Sequence, residues 1–174
     1  MAESRGRLTL AEAALFGVLG GLSFAMKLAL AALPNIEPVS LMVMLFAVTF
    51  GRRALCPIYV YVLLEILVYG LGLWNINYLY IWLILAAGAW LMRREAHPLA
   101  WALLSGGFGL MFGLLCAPVD AAIGGWGYAM ARWVSGIPFD LLHCVGNFAI
   151  ALGLFPPLRR LFARLYGAMP KGRS

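Results

Sequence analysis

Three polar residues lie at helical spacing near the end of the chain. Asp140, His143 and Asn147 follow an i, i+3, i+7 pattern, which places them on one face of a helix. They interrupt an apolar segment, and polar groups in such a segment are not expected to face lipid, which offers them no hydrogen-bond partner. The pattern predicts either hydrogen bonds between helices or one wall of a ligand pocket.

Two charged residues, Lys27 and Glu65, also lie inside apolar segments. A charge at this depth costs at least about 2.5–3.5 kcal/mol on insertion scales, so such residues are functional candidates. Counting residues along the two predicted helices places both side chains in the same, outer half of the membrane. There they either pair with each other or face a ligand. The sequence leaves both alternatives open.

The motifs of several enzyme classes are missing. The sequence contains no HExxH zinc motif and no P-loop, and neither Ser105 nor Ser135 lies in a G-x-S-G context. We therefore expect no metal, no cofactor and no enzymatic activity. An intramembrane acid or base built on Glu65 or His143 is the alternative that stays open.

The composition is that of a membrane protein. Of 174 residues, 64% are hydrophobic and 11% are charged, and the mean hydropathy is +0.91. Soluble domains are close to half apolar and about a quarter charged, so this chain has more apolar surface than a soluble fold of its length can bury. We treat residues 1–174 as a single integral membrane domain.

Apolar segments of spanning length predict an all-α membrane protein, a bundle of six transmembrane helices. The predicted spans are 10–33, 36–51, 55–73, 77–92, 99–117 and 137–158. The less apolar, glycine-rich residues 118–136 are predicted to form a long outer loop or a half-inserted segment, and residues 74–77 the turn after the third span.

Basic residues set the predicted orientation. Arginines cluster near the N-terminus and after the second, fourth and sixth spans. Cytoplasmic loops carry an excess of Lys and Arg, so both termini are predicted to be cytoplasmic. The net charge of +6 is spread over these turns and forms no continuous basic stripe, so we expect no nucleic acid partner.

Acidic, amide and aromatic residues collect at the opposite, outer end. An interfacial belt accounts for Trp and Tyr but not for the acids and amides mixed with them, so we favour a ligand pocket open to the outside. The candidate substrate-binding residues are Lys27, Asn35, Glu37, Glu65, Trp74, Asn75, Asn77, Tyr78, Asp120, Trp126, Arg132, Asp140, His143 and Asn147.

Small residues recur every four positions along the first span, and we call them the first-span stripe. The stripe consists of Ala13, Gly17, Gly21 and Ala25. This spacing gives one smooth helix face, which lets another helix approach closely in lipid. The face either packs against other spans of this chain or docks a second membrane protein. A glycine stripe at 106–113 presents the same alternatives.

Four further segments carry a resemblance to a known family: LPNIEPVS at 33–40, FGRR at 50–53, WNINYLY at 74–80 and SGIPFD at 135–140. Together with the first-span stripe, in this order and at this chain length, they resemble the substrate-capture subunits (S components) of energy-coupling factor (ECF) transporters. These transporters import vitamins and related micronutrients across the cell membrane of prokaryotes.

The resemblance implies a six-helix bundle with both termini inside and a ligand site under the outer loops. It also implies that the first-span stripe docks on a membrane coupling protein, and that two cytosolic ATPases drive import. The family uses an Ala-x-x-x-Ala face here, whereas this stripe has glycine at two positions. We expect a small, flat, polar, vitamin-like ligand.

Three other functions compete with this one. A purely structural assembly protein would leave the outer polar cluster unexplained. A self-sufficient secondary transporter would often show an internal repeat with helices broken at mid-membrane, and the sequence has no convincing repeat. An intramembrane enzyme would require a catalytic constellation, which the sequence does not display.

Overall fold

A computed structural model describes residues 8–31 and 38–168, and these residues form helices and turns without a strand. The α-helices are α1 (Leu10–Ala29), α2 (Val39–Phe50), α3 (Leu55–Tyr69), α4 (Leu73–Leu91), α5 (Pro98–Leu110) and α6 (Phe112–Gly167). A 3-10 turn, Gly51–Ala54, joins α2 to α3, and a single residue joins α5 to α6. The described residues thus fall into four helical stretches, which confirms the all-α architecture.

Local capping signals determine where α1 and α5 begin. The Thr9 hydroxyl accepts a hydrogen bond from the Glu12 N–H at 3.1 Å, and the Glu12 carboxylate accepts one from the Thr9 N–H at 3.0 Å. This reciprocal pair is a capping box. α5 begins at Pro98. Proline lacks a backbone N–H, and this is tolerated in the first turn of a helix because N–H groups there have no partner within the helix.

The turn between α3 and α4 lies earlier in the chain than the sequence predicted. α3 ends at Tyr69, and the next residue, Gly70, has a φ of +80°, in the left-handed region that favours glycine. The Gly72 N–H then donates to Asn75 Oδ1 at 2.6 Å, so Asn75 caps a helix that begins at Leu73. The predicted turn at 74–77 is therefore wrong, because these residues form the first turn of α4.

The predicted loop at 118–136 is also wrong, because these residues are helical on both sides of Gly125. Gly125 has a φ of +78° and a ψ of 174°, and it divides α6 at a kink. We call the part before it, 112–124, the first arm and the part after it, 126–167, the second arm.

Glycines let α5 and the first arm pack closely against the second arm. A Cβ atom added at Gly109 would lie 2.7 Å from the His143 carbonyl oxygen, and one at Gly106 would lie 3.1 Å from Phe148 Cβ. The glycine stripe at 106–113 therefore packs within this chain.

α1 and α3 run parallel to each other. Glu12 at the start of α1 forms an ion pair with Arg53, just before α3. Lys27 near the end of α1 forms an ion pair with Glu65 near the end of α3.

α2 and α4 run in the opposite direction. Phe50 at the end of α2 packs against Phe16 at the start of α1, with ring centroids 5.1 Å apart. Tyr78 near the start of α4 lies beside Lys27, whereas Trp90 near the end of α4 lines a cavity beside the 3-10 turn.

One end of the molecule gathers the described arginine clusters, and we call it the basic end. Arg159 on the second arm donates to the carbonyl oxygens of Glu95 and Arg93, both at 2.6 Å, just after α4. Further along the same arm, the Tyr166 hydroxyl donates to Glu12 Oε1 at 3.1 Å. The starts of α1, α3 and α5 therefore meet the ends of α2, α4 and α6 at this end.

Large apolar side chains lie on the surface as well as in the core. Val18 is 68% exposed and Leu67 is 69% exposed, which suits contact with lipid. Within the described residues, three helical stretches are long and apolar enough to cross a membrane: Leu10–Ala29, Val39–Tyr69 and Pro98–Gly167. The fold is thus compatible with a membrane protein.

Candidate ligand site

A salt bridge and a tyrosine hydroxyl lie together between α1, α3 and α4. Lys27 Nζ lies 3.0 Å from Glu65 Oε2 and 3.4 Å from the hydroxyl oxygen of Tyr78. The Glu65 side chain is 1% exposed and that of Lys27 is 19% exposed. The two charges therefore pair with each other, which offsets part of the cost of removing them from water.

Aromatic rings connect this salt bridge to α6. The ring centroid of Tyr78 lies 5.4 Å from that of Trp82, and Trp82 lies 6.2 Å from Phe112. Phe112 in turn lies 5.0 Å from the imidazole of His143. We call Tyr78, Trp82, Phe112 and His143 the aromatic row. It crosses the interior from α4 to the second arm of α6.

Asn147, one turn along from His143, ties three helices together. Its Nδ2 donates to Ser40 Oγ at 3.0 Å and to the Ser105 carbonyl oxygen at 3.3 Å. Asn147, Ser40 and Ser105 are each 1% exposed. Hydrogen bonding between helices, one of the two alternatives for the polar face of α6, is therefore present at Asn147.

Several buried polar atoms in the salt bridge, the aromatic row and the contacts of Asn147 have no hydrogen-bond partner among the described residues. They are Glu65 Oε1, Trp82 Nε1, Ser105 Oγ, His143 Nε2 and Asn147 Oδ1. The great majority of buried polar atoms in native proteins are paired, so each of these atoms calls for water, a ligand or another part of the chain. We call these atoms, together with the aromatic row, the candidate ligand site.

Asp140 has a structural contact instead. Both of its carboxylate oxygens accept from the Gly113 N–H, at 3.1 and 3.2 Å. Gly113 lies at the start of α6, where the first N–H groups of a helix have no partner within the helix. The carboxylate thus caps the junction between α5 and α6.

Asn75 and Asn77 are buried, and both make contacts within or beside α4. Asn75 accepts from the Gly72 N–H, as described above, and Asn77 Oδ1 accepts from the Tyr80 hydroxyl at 3.0 Å. The same hydroxyl lies 2.5 Å from the Leu115 carbonyl oxygen. These contacts position α4 against the first arm of α6.

The remaining predicted site residues lie away from the aromatic row. Arg132 Nε lies 3.6 Å from Asp120 Oδ2 between the two arms, and the Arg132 side chain is 61% exposed. Trp126 is 69% exposed and Trp74 is 46% exposed. Asn35 and Glu37 lie outside the described residues.

The first-span stripe faces away from the rest of the described chain. A Cβ atom added at Gly17 or Gly21 would meet nothing within 4 Å, and Ala13 and Ala25 are exposed. By contrast, a Cβ atom at Gly20 would lie 2.6 Å from Val60 Cβ. Close packing of α1 on α3 therefore uses Gly20 and leaves the stripe open.

Sequence reasoning missed four residues of the interior: Ser40, Trp82, Ser105 and Phe112. Serines and aromatic residues within apolar runs match ordinary core positions, so their types and spacing gave no signal. The helical spacing of His143 and Asn147 marks the face of α6 that Ser40, Ser105 and Phe112 contact. Trp82 in turn packs against Phe112.

Within the described residues, no group of three or more His, Cys, Asp or Glu side chains is arranged to hold a metal ion. Comparison of the chain with protein-family models, with curated proteins and with solved structures finds no match. The geometry of the site and the sequence pattern therefore carry the functional interpretation.

Proposed function

We propose that the chain is the substrate-capture subunit, or S component, of an energy-coupling factor importer in a prokaryotic cell membrane. It binds a small, flat, polar, vitamin-like ligand from the outer face, without ATP. A membrane coupling protein and two cytosolic ATPases then drive delivery to the inside. The observation that carries the proposal is the aromatic row, in which Trp82 and His143 are buried, together with the unpartnered polar atoms of the candidate ligand site.

The chemistry of the candidate ligand site suits a heterocycle with hydrogen-bonding groups on its edge. The indole N–H of Trp82 only donates, Asn147 Oδ1 only accepts, and the Ser105 hydroxyl does both. Rings in offset or edge contact add about 0.5–1.5 kcal/mol per pair beyond the burial of their area. A flat ligand against the aromatic row would supply the partners that the described residues do not.

We further propose that the chain crosses the membrane six times with both termini in the cytoplasm. In support, the starts and ends of successive helices alternate between the basic end and the opposite end. The positive-inside rule assigns a cluster of arginines to the cytoplasm. Each of the stretches 39–69 and 98–167 then crosses twice, and the Lys27–Glu65 pair lies toward the outer face.

The first-span stripe is the proposed docking face for the coupling protein. Its openness in the structure supports this role over packing within the chain. Small residues allow two helices to approach closely in lipid, where van der Waals contact and not the hydrophobic effect drives association.

Reconstitution in proteoliposomes tests the proposal. The chain alone should bind its ligand without ATP but accumulate none, and accumulation should require the coupling protein, the ATPases and ATP. Accumulation by the chain alone, driven by an ion gradient, would identify a secondary transporter. Conversion of the ligand to a product would identify an enzyme.

A further inference from the structure

A cavity that shares no lining residue with the candidate ligand site opens at the basic end, between the turn after α4 and the second arm of α6. Its volume is about 360 Å³. Its floor is apolar: Trp101 stacks on Phe155 with ring centroids 4.2 Å apart, and Pro156 lies beside them. Its rim carries the guanidinium groups of three arginines, Arg94, Arg159 and Arg160.

Arg159 holds the rim in place. It donates to the carbonyl oxygens of Glu95 and Arg93, and its guanidinium lies 5.3 Å from the ring centroid of Trp101. These contacts fix the turn after α4 against α6. The positive charge of Arg159 therefore stays at the cavity whether or not a ligand is present.

Arg94 and Arg160 are exposed, and neither forms an ion pair or hydrogen bond with another described residue. The one carboxylate in the lining, Glu95, is turned toward its own backbone, where Oε1 accepts from the N–H groups of His97 and Ala96 at 2.8 Å each. These N–H groups lower the pKa of Glu95, so it carries a full negative charge at neutral pH. Three guanidinium groups nevertheless leave the lining with an excess of positive charge.

We infer that this cavity binds the phosphate diester headgroup of an anionic phospholipid. Guanidinium groups match phosphate oxygens in geometry and charge, and basic pockets between helices on the cytoplasmic side of a membrane recognise such headgroups. The apolar floor formed by Trp101 and Phe155 suits the glycerol and the first methylenes of the acyl chains, which a free phosphate ion lacks. The inference rests on the proposed orientation, with the basic end at the inner leaflet.

The test uses the purified full-length chain in a neutral detergent, without any vitamin-like compound. Dioctanoyl phosphatidylglycerol is titrated while thermal unfolding is followed, with dioctanoyl phosphatidylcholine and inorganic phosphate as separate titrants. Phosphatidylglycerol should raise the Tm in a saturable manner, and the other two should not. A rise with inorganic phosphate equal to that with phosphatidylglycerol would overturn the assignment to a lipid.

Two variants probe the site by different routes. Arg94→Gln/Arg160→Gln removes two rim charges, and Ala163→Phe fills the cavity without changing a charge. Each should raise the dissociation constant for phosphatidylglycerol at least tenfold. The control Arg52→Gln/Arg164→Gln removes two exposed charges from the same end outside this cavity and should bind as the wild type does.

Equal losses in the control and the rim variant would show general electrostatic attraction and overturn the site. Unchanged affinity in the rim and cavity-filling variants would overturn it as well. Because the titration contains no vitamin-like ligand, its failure leaves the proposed capture function untouched. Failure of the chain to bind any vitamin-like compound, conversely, leaves the lipid result standing.

Discussion

Lys27 Nζ lies 3.0 Å from Glu65 Oε2, and this contact ties α1 to α3 through a carboxylate whose side chain is 1% exposed. Only Oε2 of the Glu65 carboxylate contacts Lys27, and Oε1 has no hydrogen-bond partner among the described residues. The pair thus joins α1 to α3 and leaves one carboxylate oxygen without a partner beside the aromatic row.

Removing the lysine alone should be costly. In Lys27→Met, Glu65 becomes a buried charge without its cation, and breaking one partner of a buried pair costs about 3–5 kcal/mol. The free energy of unfolding of the ligand-free protein in mild detergent measures the loss. Lys27→Met/Glu65→Gln should recover most of it. If the loss of unfolding free energy in the double variant equals the sum of the losses in the two single variants, the contact contributes nothing to stability.

Substitutions of the glycines in α1 should distinguish the glycine that α1 needs to pack on α3 from those that it needs for docking. Gly20→Leu should destabilise the protein by about 1–3 kcal/mol or more, because its side chain would overlap Val60. Gly17→Leu and Gly21→Leu should leave the Tm and ligand affinity unchanged and abolish uptake by the assembled transporter. If either loses ligand binding as well, the stripe packs within the chain and the docking assignment is wrong.

Asp140 should contribute to the stability of the protein and not to ligand binding. Asp140→Ala leaves the Gly113 N–H without its acceptor and should cost about 1–3 kcal/mol of unfolding free energy. Asp140→Asn keeps an acceptor oxygen and should recover much of that loss. Ligand affinity, measured by calorimetry on the Asn variant, should stay within twofold of the wild type. A large loss of affinity with normal stability would instead place Asp140 in the ligand site.

The proposed orientation predicts a pattern of labelling. In a variant whose native cysteines are replaced, a cysteine at position 126 should react with an impermeant maleimide added outside intact cells. A cysteine at position 96, in the turn after α4, should react only after permeabilisation. Reaction at both positions from outside would contradict the assignment of the basic end to the cytoplasm.

The sequence predicted the parts of the fold that depend on periodicity and charge. The i, i+3, i+7 spacing of Asp140, His143 and Asn147 does mark a buried face, since each is at most 6% exposed. Lys27 and Glu65, two charges toward the same end of apolar segments, do meet. In both cases, the cost of a polar group in an apolar segment constrained where its side chain could go.

The errors came from contacts that no local pattern displays. Residues 118–136 are helical on both sides of Gly125, and the Arg132–Asp120 contact joins the two arms there. Low hydropathy could not reveal that contact. The turn before α4 was misplaced because Asn75 caps the helix instead of lying in the turn. Trp82 was missed because its unpartnered N–H becomes visible only once its neighbours are known.

The most direct test of the account is a thermal-shift screen of the purified chain in detergent against B vitamins, their precursors and modified bases. A ligand at 100 times its dissociation constant adds about 2.7 kcal/mol to the unfolding free energy, which a rise in Tm reports readily. At least one flat, polar compound should raise the Tm of the wild type. In Trp82→Phe, which keeps an aromatic ring but loses the indole N–H, the same compound should bind at least tenfold more weakly while the ligand-free Tm is unchanged or higher. No shift with any compound, or equal affinity in Trp82→Phe, would contradict a ligand site on the aromatic row.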